Sequence, residues 1–230
     1  MISFNKFHPN AVYLDKKTQD IVCYIEKIKL EYPLKDIIVW LDSDDEYEKF
    51  LQLGFDECRR TYDLEIEVSS LLTVLKEVDG NSEQIEDESF IVNEKLVKKW
   101  YEAYASTHKA NPVKPLEFEE MREVISKDLD YKNSILILNK KAEICGYIFV
   151  YEEDEETLEI GYMYYQDNIA KKCLKHLLFK RLTNVDNKNI KRVYAEVDDT
   201  DQYAYEFLKE FLSDNDPFQR TLIYKRSCCS

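Results

Sequence analysis

Glycine is scarce in this sequence. Its 230 residues include 4 glycines, whereas an average composition of about 7% would give roughly four times as many. No two of Gly54, Gly80, Gly146 and Gly161 are close enough to form a GxGxxG fingerprint or a P-loop. The sequence therefore excludes nucleotide sites built on those two glycine-rich loops.

Metal-binding and nucleic-acid-binding patterns are also absent. The 3 histidines lie far apart and no CxxC pair occurs, so we expect no structural metal site. The formal net charge of −14 argues against a nucleic-acid partner or an anionic membrane, because binding phosphate requires a basic surface. An acidic surface instead favours a cationic partner.

Long apolar runs are missing too. The first residues lack the apolar region of a signal peptide, and no segment reaches the length of a membrane span. Four of the 6 cysteines lie in apolar-periodic segments, where a free thiol behaves as a small hydrophobic side chain. Cys228 and Cys229 lie in the tail and match no CaaX pattern. These features predict a cytoplasmic protein that does not bind membranes.

The N-terminal part has a regular order of elements. Apolar periodicity predicts a helix, a buried strand, a short helix and a second strand. Their expected ranges are 18–32, 37–41, 47–53 and 58–68. Thr18 is the expected N-cap of the first helix, and an acidic turn with Asp42, Asp44 and Asp45 precedes the short helix.

The C-terminal part has the same order. Helix, strand, short helix and strand are expected over 170–182, 193–197, 203–212 and 218–224. A second acidic turn, with Asp198, Asp199 and Asp201, aligns with the first. We interpret the two units as an internal structural repeat; chance similarity between two ordinary αβαβ units is the alternative.

The segment between the two units supplies further elements. Residues 79–88 have the acidic, glycine-containing composition of a linker. After it we expect, in order, one strand, two helices and three strands, over 89–92, 95–108, 118–129, 134–138, 144–151 and 158–165. The predicted organisation is a partial N-terminal domain over 1–78, a linker over 79–88 and a complete domain over 89–230.

The order from residue 89 onward resembles the GNAT superfamily of acyl-CoA N-acyltransferases. It consists of an antiparallel meander followed by a strand–helix–strand unit, and the resemblance covers about residues 88–226. Residues 1 to about 70 look like the C-terminal half of the same fold. The resemblance implies an α/β fold with a mixed (α+β) sheet and a partial N-terminal repeat.

The segment Glu159-Ile-Gly-Tyr-Met-Tyr-Tyr165 looks like the fourth strand of that family. The resemblance implies that this strand and the next helix N-terminus hold acetyl-CoA or another acyl-CoA, with the pyrophosphate on backbone N–H groups. The matching positions are Met163, Tyr164, Tyr165, Gln166, Asn168, Ile169, Ala170, Lys171 and Lys172. The loop here is shorter than the family's Arg/Gln-x-x-Gly-x-Gly/Ala pattern and has no glycine. Asp167 also brings a carboxylate to the expected pyrophosphate position.

Glu159 is the residue that we select as a general base. Strand alternation predicts that it shares a face with Gly161 and Met163, opposite Tyr162 and Tyr164. Burial of a carboxylate on an inner strand raises its pKa toward that of a useful base. A partly exposed or salt-bridged carboxylate is the alternative.

The resemblance also implies a tyrosine that gives a proton to the leaving thiolate. At the matching position the chain has Leu208, or Phe207 when the N-terminal unit sets the alignment. Neither side chain carries a proton to donate. Tyr203 and Tyr205 are the candidates to replace it.

Two charged clusters have both a functional and a structural interpretation. The basic residues of the helix over 170–182 could hold a phosphate, or they form its solvated face. The two acidic turns could hold a divalent cation, or they cap the short helices that follow them. The structural interpretation is the stronger one in both cases.

Two functions follow from these observations. The first is an N-acetyltransferase that moves an acyl group from acyl-CoA to an amine of a small molecule or peptide, with a cationic acceptor favoured by the acidic surface. The second is a catalytically degenerate GNAT-like protein that binds a small molecule or a protein partner without acyl transfer. The sequence leaves open whether the chain forms a homodimer.

Overall fold

The structure is a computed structural model that describes residues 2–17, 20–43, 46–76, 78, 85–184, 189–212 and 217–226. In this part of the chain the strands are β1 Ile2–Ser3, β2 Ala11–Leu14, β3 Asp36–Leu41, β4 Asp56–Glu67, β5 Ile85–Glu88, β6 Ile135–Asn139, β7 Ile144–Glu152, β8 Thr157–Tyr165, β9 Arg192–Asp198 and β10 Gln219–Tyr224. The helices are α1 Ile21–Glu31, α2 Tyr47–Gln52, α3 Val68–Lys76, α4 Glu94–Thr107, α5 Phe118–Ser126, α6 Asn168–Leu182 and α7 Gln202–Phe207, followed by a 3-10 turn over Lys209–Phe211.

The described strands form one mixed sheet in the order β1-β2-β3-β10-β4-β9-β8-β7-β6-β5. The pairs β2–β3 and β8–β9 are parallel, whereas the other neighbouring pairs are antiparallel. Two strands, β4 and β10, each pair with strands from the other half of the chain. β4 lies between β9 and β10, and β10 lies between β3 and β4. The two halves therefore interleave at the centre of the sheet.

Helices cover both faces of this sheet. Alternating apolar residues of β4, β8 and β9 pack with α3, α6 and α7 on one face, as the cluster around Leu64, Leu174 and Val197 shows. The opposite face of β6, β7 and β8 packs against α4 and α5, around Trp100 and Phe149. At the N-terminal end of the sheet, α1 and α2 pack over Ile37, Val39 and Leu222.

The predicted fold class is confirmed as an α/β fold with a mixed sheet, and most of the predicted elements are present. The expected strand over 89–92 is wrong, because the strand lies at Ile85–Glu88, inside the predicted linker. Its acidic side chains did not indicate a strand, but they are largely exposed at the sheet edge, where charge is tolerated. Helix α3 was not predicted. Thr18, Asp44, Asp45, residues 79–84 and both tail cysteines lie outside the described residues.

A β-bulge in β8 changes which residues share a face. Ile148 pairs with Met163 and Val150 pairs with Ile160, so β8 has an extra residue between them. Glu159 and Tyr162 consequently line the same cavity, whereas Met163 belongs to the α6 side of the core. The predicted grouping of Glu159 with Met163 is therefore wrong, because simple alternation does not account for a bulge.

Strands β8 and β9 separate along their length. They pair from Thr157–Arg192 to Glu159–Tyr194, and no pairs follow, although β8 continues to Tyr165 and β9 to Asp198. Helix α7 starts where β9 ends and packs against β8. The separation leaves space beside the second half of β8, where Tyr164 and Tyr165 line a cavity with residues of α7.

Within the described residues, no helix combines the length and the apolar character needed to cross a membrane.

Candidate functional site

A cavity of about 530 Å³ lies over the middle of the sheet, and we call it the central cavity. Both halves of the chain line it. His8, Tyr13, Trp40 and Arg59 come from the N-terminal half, and the C-terminal half contributes the end of α4, the middle of β8 and the second half of β9. The site is thus a product of the interleaved sheet.

Carboxylates form one wall of the central cavity. Glu159 lies on β8 opposite Tyr194, and Glu196 follows two residues later on the same face of β9. Burial raises the pKa of Glu159, and the charges of Glu153 and Glu196 raise it further. Burial also raises the pKa of Glu196. Its side chain is accessible to solvent through the open cavity, although many protein atoms surround it. Among the described residues, neither Glu159 nor Glu196 forms an ion pair with a basic side chain.

Arg59 is the only Lys or Arg among the described residues that line this cavity, and its charge is already balanced. Its Nη1 donates to Asp198 Oδ2 at 3.0 Å, and its Nε and Nη2 lie 3.3 Å from Thr221 Oγ1. The other carboxylate oxygen of Asp198 accepts a hydrogen bond from Thr61 at 2.6 Å. The pair joins β4, β9 and β10. Arg59 forms no ion pair with either glutamate, although its charge opposes the rise in the pKa of Glu196.

Two histidines, His8 and His108, also line the central cavity without adding positive charge. The rings of His8 and His108 stack with centroids 5.5 Å apart. Each Nδ1 lies 2.8 Å from a backbone carbonyl, that of Asn111 for His8 and that of Tyr104 for His108. Burial lowers the pKa of both imidazoles. They are therefore neutral at pH 7, with Nδ1 as the donor and Nε2 as an acceptor.

A narrow passage of about 10 Å³ continues from the central cavity between β8 and the start of α7. Tyr104, Tyr162 and Asp201 line both spaces. Asp201 caps α7, accepting from the amides of Tyr203 at 2.9 Å and Ala204 at 3.3 Å. Burial raises the pKa of Asp201 to about 6, although these two hydrogen bonds oppose the effect.

A second cavity, of about 420 Å³, lies at the N-terminus of α6, and we call it the α6 cavity. Its lining residues are Tyr164, Tyr165, Gln166, Asp167, Asn168, Lys171, Gln202, Tyr203 and Glu206. Tyr203 connects it to the passage, with its ring centroid 5.1 Å from that of Tyr164 and 5.5 Å from that of Tyr165. The passage therefore shares lining residues with both cavities.

The α6 cavity does not fit a CoA pyrophosphate. Asp167 Oδ1 accepts from the amides of Ile169 and Ala170, both at 2.9 Å, so the side chain occupies the donors that an anion would need. Glu206 adds a second carboxylate to the lining, and Lys171 is held by the backbone carbonyl of Glu206. The donor set is therefore already satisfied, and the surroundings repel an anion.

The structure brings together most of the predicted site residues, although their roles stay predictions. Tyr164, Tyr165, Gln166, Asn168 and Lys171 line the α6 cavity, and Met163 lines the passage. Ile169 and Lys172 are exposed on α6, Ala170 is buried in the core, and none of these three lines a described cavity.

The candidate catalytic residues separate in the same way. Glu159 lines the central cavity, and Tyr203 lines the passage. Tyr205 instead packs against Tyr62, with centroids 6.1 Å apart, and lines none of the described cavities. Phe207 and Leu208 are buried in the core, so that position has no hydroxyl.

Several cavity residues were missed by the sequence reasoning. Glu196 and Asp198 alternate with Val193, Ala195 and Val197, so strand periodicity could have placed both acids on the face opposite the core. Arg59 and the stacked histidines come from distant segments, and no local pattern could have found them. Asp201 was correctly expected to be a helix cap.

Two basic residues of α6 form ion pairs within the protein, which favours a structural role over phosphate binding for them. Lys175 is buried and its Nζ lies 3.2 Å from Glu210 Oε1, while Arg181 pairs with Asp87 at 3.1 Å. Among the described residues, no group of three or more His, Cys, Asp or Glu side chains is arranged to hold a metal ion.

Comparisons with known proteins show similarity in fold. No family model matches the chain, and no curated protein matches it significantly. A GCN5-related N-acetyltransferase from Sphaerobacter thermophilus superposes with a TM-score of 0.59 at 15% identity, over 97% of this chain and 75% of that one. A tandem GNAT protein from the clavulanic acid biosynthesis pathway superposes with a TM-score of 0.53 at 7% identity, over 96% of this chain and 77% of that one. A probable N-acyltransferase from Enterococcus faecalis V583 superposes with a TM-score of 0.54 at 11% identity, over 96% of this chain and 56% of that one. The chain is therefore similar in fold to GNAT N-acetyltransferases over nearly its whole length.

Proposed function

We propose that this protein binds a cationic amine in the central cavity. The observation that carries the proposal is the pair Glu159 and Glu196, two neighbouring carboxylates without a basic partner in the described part of the chain. The charge of Glu196 raises the pKa of Glu159, so ionising both carboxyls has an electrostatic cost that a bound ammonium group would relieve. The sequence-derived net charge of −14 favours the approach of the same class of ligand.

The aromatic lining favours an organic cation over a bare ion. Tyr104, Tyr151, Tyr162, Tyr194 and Trp40 line the cavity around the carboxylates. Aromatic faces attract cations and also cover the apolar part of an alkylamine. A small amine or the lysine side chain of a peptide has both properties.

Calorimetry tests this proposal with putrescine and spermidine as probes and with butanediol as the uncharged analogue of putrescine. We expect the amines to bind and butanediol not to bind. Glu159→Gln should weaken amine binding by roughly tenfold, the worth of one charge-assisted hydrogen bond. Glu153→Gln is the matched control, because Glu153 influences Glu159 electrostatically but is exposed and does not line the cavity. Equal effects of the two substitutions would contradict the assignment of the site.

We propose that the chain does not transfer an acyl group from CoA, and that it is a degenerate GNAT-like protein. The cap formed by Asp167 supports this proposal, because it occupies the amides on which a pyrophosphate would depend. The buried Phe207 and Leu208, at the family's proton-donor position, support it as well.

Acyl transfer to the bound amine is the second candidate function. It is favoured by the likeness in fold to N-acetyltransferases and by the position of Glu159, whose raised pKa suits removal of a proton from an ammonium group. Tyr203, in the passage, would be the proton donor. Titration with acetyl-CoA and free CoA separates the two candidates: no change in thermal stability at millimolar CoA supports the degenerate protein. A clear rise in stability, with acetylated amine in a product assay, would establish the transferase.

We also propose that residues 1–78 and 89–230 are related units and that the first is truncated; the segment 79–88 between them includes β5, which pairs with β6 of the second unit. The sheet order supports this, because β2-β3-β10 mirrors β8-β9-β4 in strand direction and connection. In both units a parallel pair with its crossover helix is followed by a short helix and by a strand that pairs with the other unit. The fold similarity to a tandem GNAT protein supports the same division.

A further inference from the structure

Trp100 carries a hydrogen-bond donor that the fold leaves unused. Its side chain is 1% exposed, and its indole Nε1 is buried without a hydrogen-bond partner in the described part of the chain. The ring lines the passage between the two cavities. It is held there by Tyr104, stacked at 5.2 Å, and by the edge of Tyr162 at 5.3 Å. Buried donors in native proteins nearly always have a partner, so an orphan beside a cavity indicates a missing one.

The passage determines what that partner can be. Its volume of about 10 Å³ accommodates one water-sized atom, which suits a single oxygen. Asp201, in the same passage, is not the acceptor, because Trp100 Nε1 has no hydrogen-bond partner among the described residues; the amides of Tyr203 and Ala204 both donate to Asp201 Oδ1. The charge of Asp201 also disfavours an anionic ligand group there. The acceptor is therefore an uncharged oxygen.

We propose that Trp100 donates a hydrogen bond to the carbonyl oxygen of an amide in the ligand, so that the preferred ligand is an N-acylated amine that keeps one free ammonium group. This inference rests on the proposed amine site. Tyr104 and Tyr162 line both the central cavity and the passage, so one ligand can place its ammonium group against Glu159 and Glu196 and its carbonyl at Trp100. A short diamine that is acylated at one end has this composition.

The chain contains 2 tryptophans. One lines the central cavity and the other lines the passage, so each reports on ligand binding in its own space. Trp40 lines the central cavity and is 41% exposed, whereas Trp100 lines the passage. A heteronuclear NMR spectrum of the isotopically labelled chain should therefore contain two indole N–H signals. The exposed Trp40 can be replaced by Phe with little risk to folding, and the signal that remains in this variant is that of Trp100.

N-acetylputrescine and heptylamine are matched probes, since both have one ammonium group and the same chain length, and only the first has a carbonyl. We expect both probes to shift the Trp40 signal. Only N-acetylputrescine should move the Trp100 signal downfield, and it should bind about fivefold more tightly, as expected for one added hydrogen bond. Trp100→Phe should abolish this preference.

A shift of Trp40 without a shift of Trp100 overturns this inference and leaves the proposed amine site intact. Binding of the two probes with equal affinity does the same. If neither signal responds to either probe, both the amine site and this inference are wrong. Because the wild-type signals decide between these outcomes, the test does not depend on the folding of the Trp100→Phe variant.

Discussion

Replacing Asp201 with asparagine should stabilise the folded protein at neutral pH. Burial raises the pKa of Asp201 from 3.8 to about 6, despite the two amide hydrogen bonds that its carboxylate accepts. Because the folded pKa lies above the unfolded one, the ionised side chain is penalised in the fold. The stabilising contribution of the protonated form is complete below pH 3.8 and is lost as the pH rises through 6.

The size of this effect follows from the shift. A rise from 3.8 to about 6 corresponds to a loss of ~3 kcal/mol above pH 7. Asparagine caps helices as well as aspartate does and carries no charge. Asp201→Asn should therefore raise the free energy of unfolding by ~2–3 kcal/mol near pH 8, and by about half as much near pH 5, where the wild-type carboxyl is largely protonated in the fold.

Urea unfolding followed by tryptophan fluorescence measures both values. Asp167→Asn is the matched control, because Asp167 also caps a helix and accepts from two backbone amides but is exposed to solvent. Its substitution should change the free energy of unfolding by less than about 0.5 kcal/mol at either pH. A lower stability of Asp201→Asn near pH 8, or a gain that is independent of pH, would refute the reasoning.

Three further predictions concern other parts of the structure. Gly161→Ala should lower the free energy of unfolding by about 1–3 kcal/mol in thermal or urea unfolding, because its Cβ would lie 2.5 Å from a ring carbon of Tyr151; an unchanged midpoint would show that the bulge adjusts. Asp167→Gly frees the two α6 amides that bind the Asp167 carboxylate. Millimolar inorganic pyrophosphate should therefore raise the melting temperature of this variant and not that of the wild type. An equal response of both proteins would mean that Asp167 does not block the site. Amine affinity in calorimetry should rise with pH until Glu159 and Glu196 are ionised. The rise should occur at higher pH than for ordinary carboxyls, because the pKa values of both side chains are raised. An affinity that stays flat from pH 4 to 8 would contradict their role.

The parts of this fold that follow from local pattern could be predicted from the sequence. The buried strand β3 is a continuous apolar run, and α6 has an apolar stripe, so both were placed within a few residues. The edge strand β5 was missed because Glu86, Asp87 and Glu88 do not look like a strand, and their pairing comes from β6.

The candidate site could be predicted only in part, for a related reason. Glu159 was identifiable because a glutamate interrupts an otherwise apolar and aromatic strand. Its partners were not, because the cavity depends on a bulge in β8 and on the exchange of β4 and β10, which no local periodicity contains. Arg59 is 139 residues from Asp198 along the chain, and only the sheet brings them together.

The exchange of β4 and β10 has a consequence for biosynthesis. Thr61 on β4 is hydrogen-bonded to Asp198, which the ribosome adds 137 residues later, and β10 follows later still. Until then this long strand has neither of its final neighbours, and both of its edges are available to other chains. Contacts so distant in sequence form slowly, so the nascent polypeptide should depend on chaperones for most of its translation.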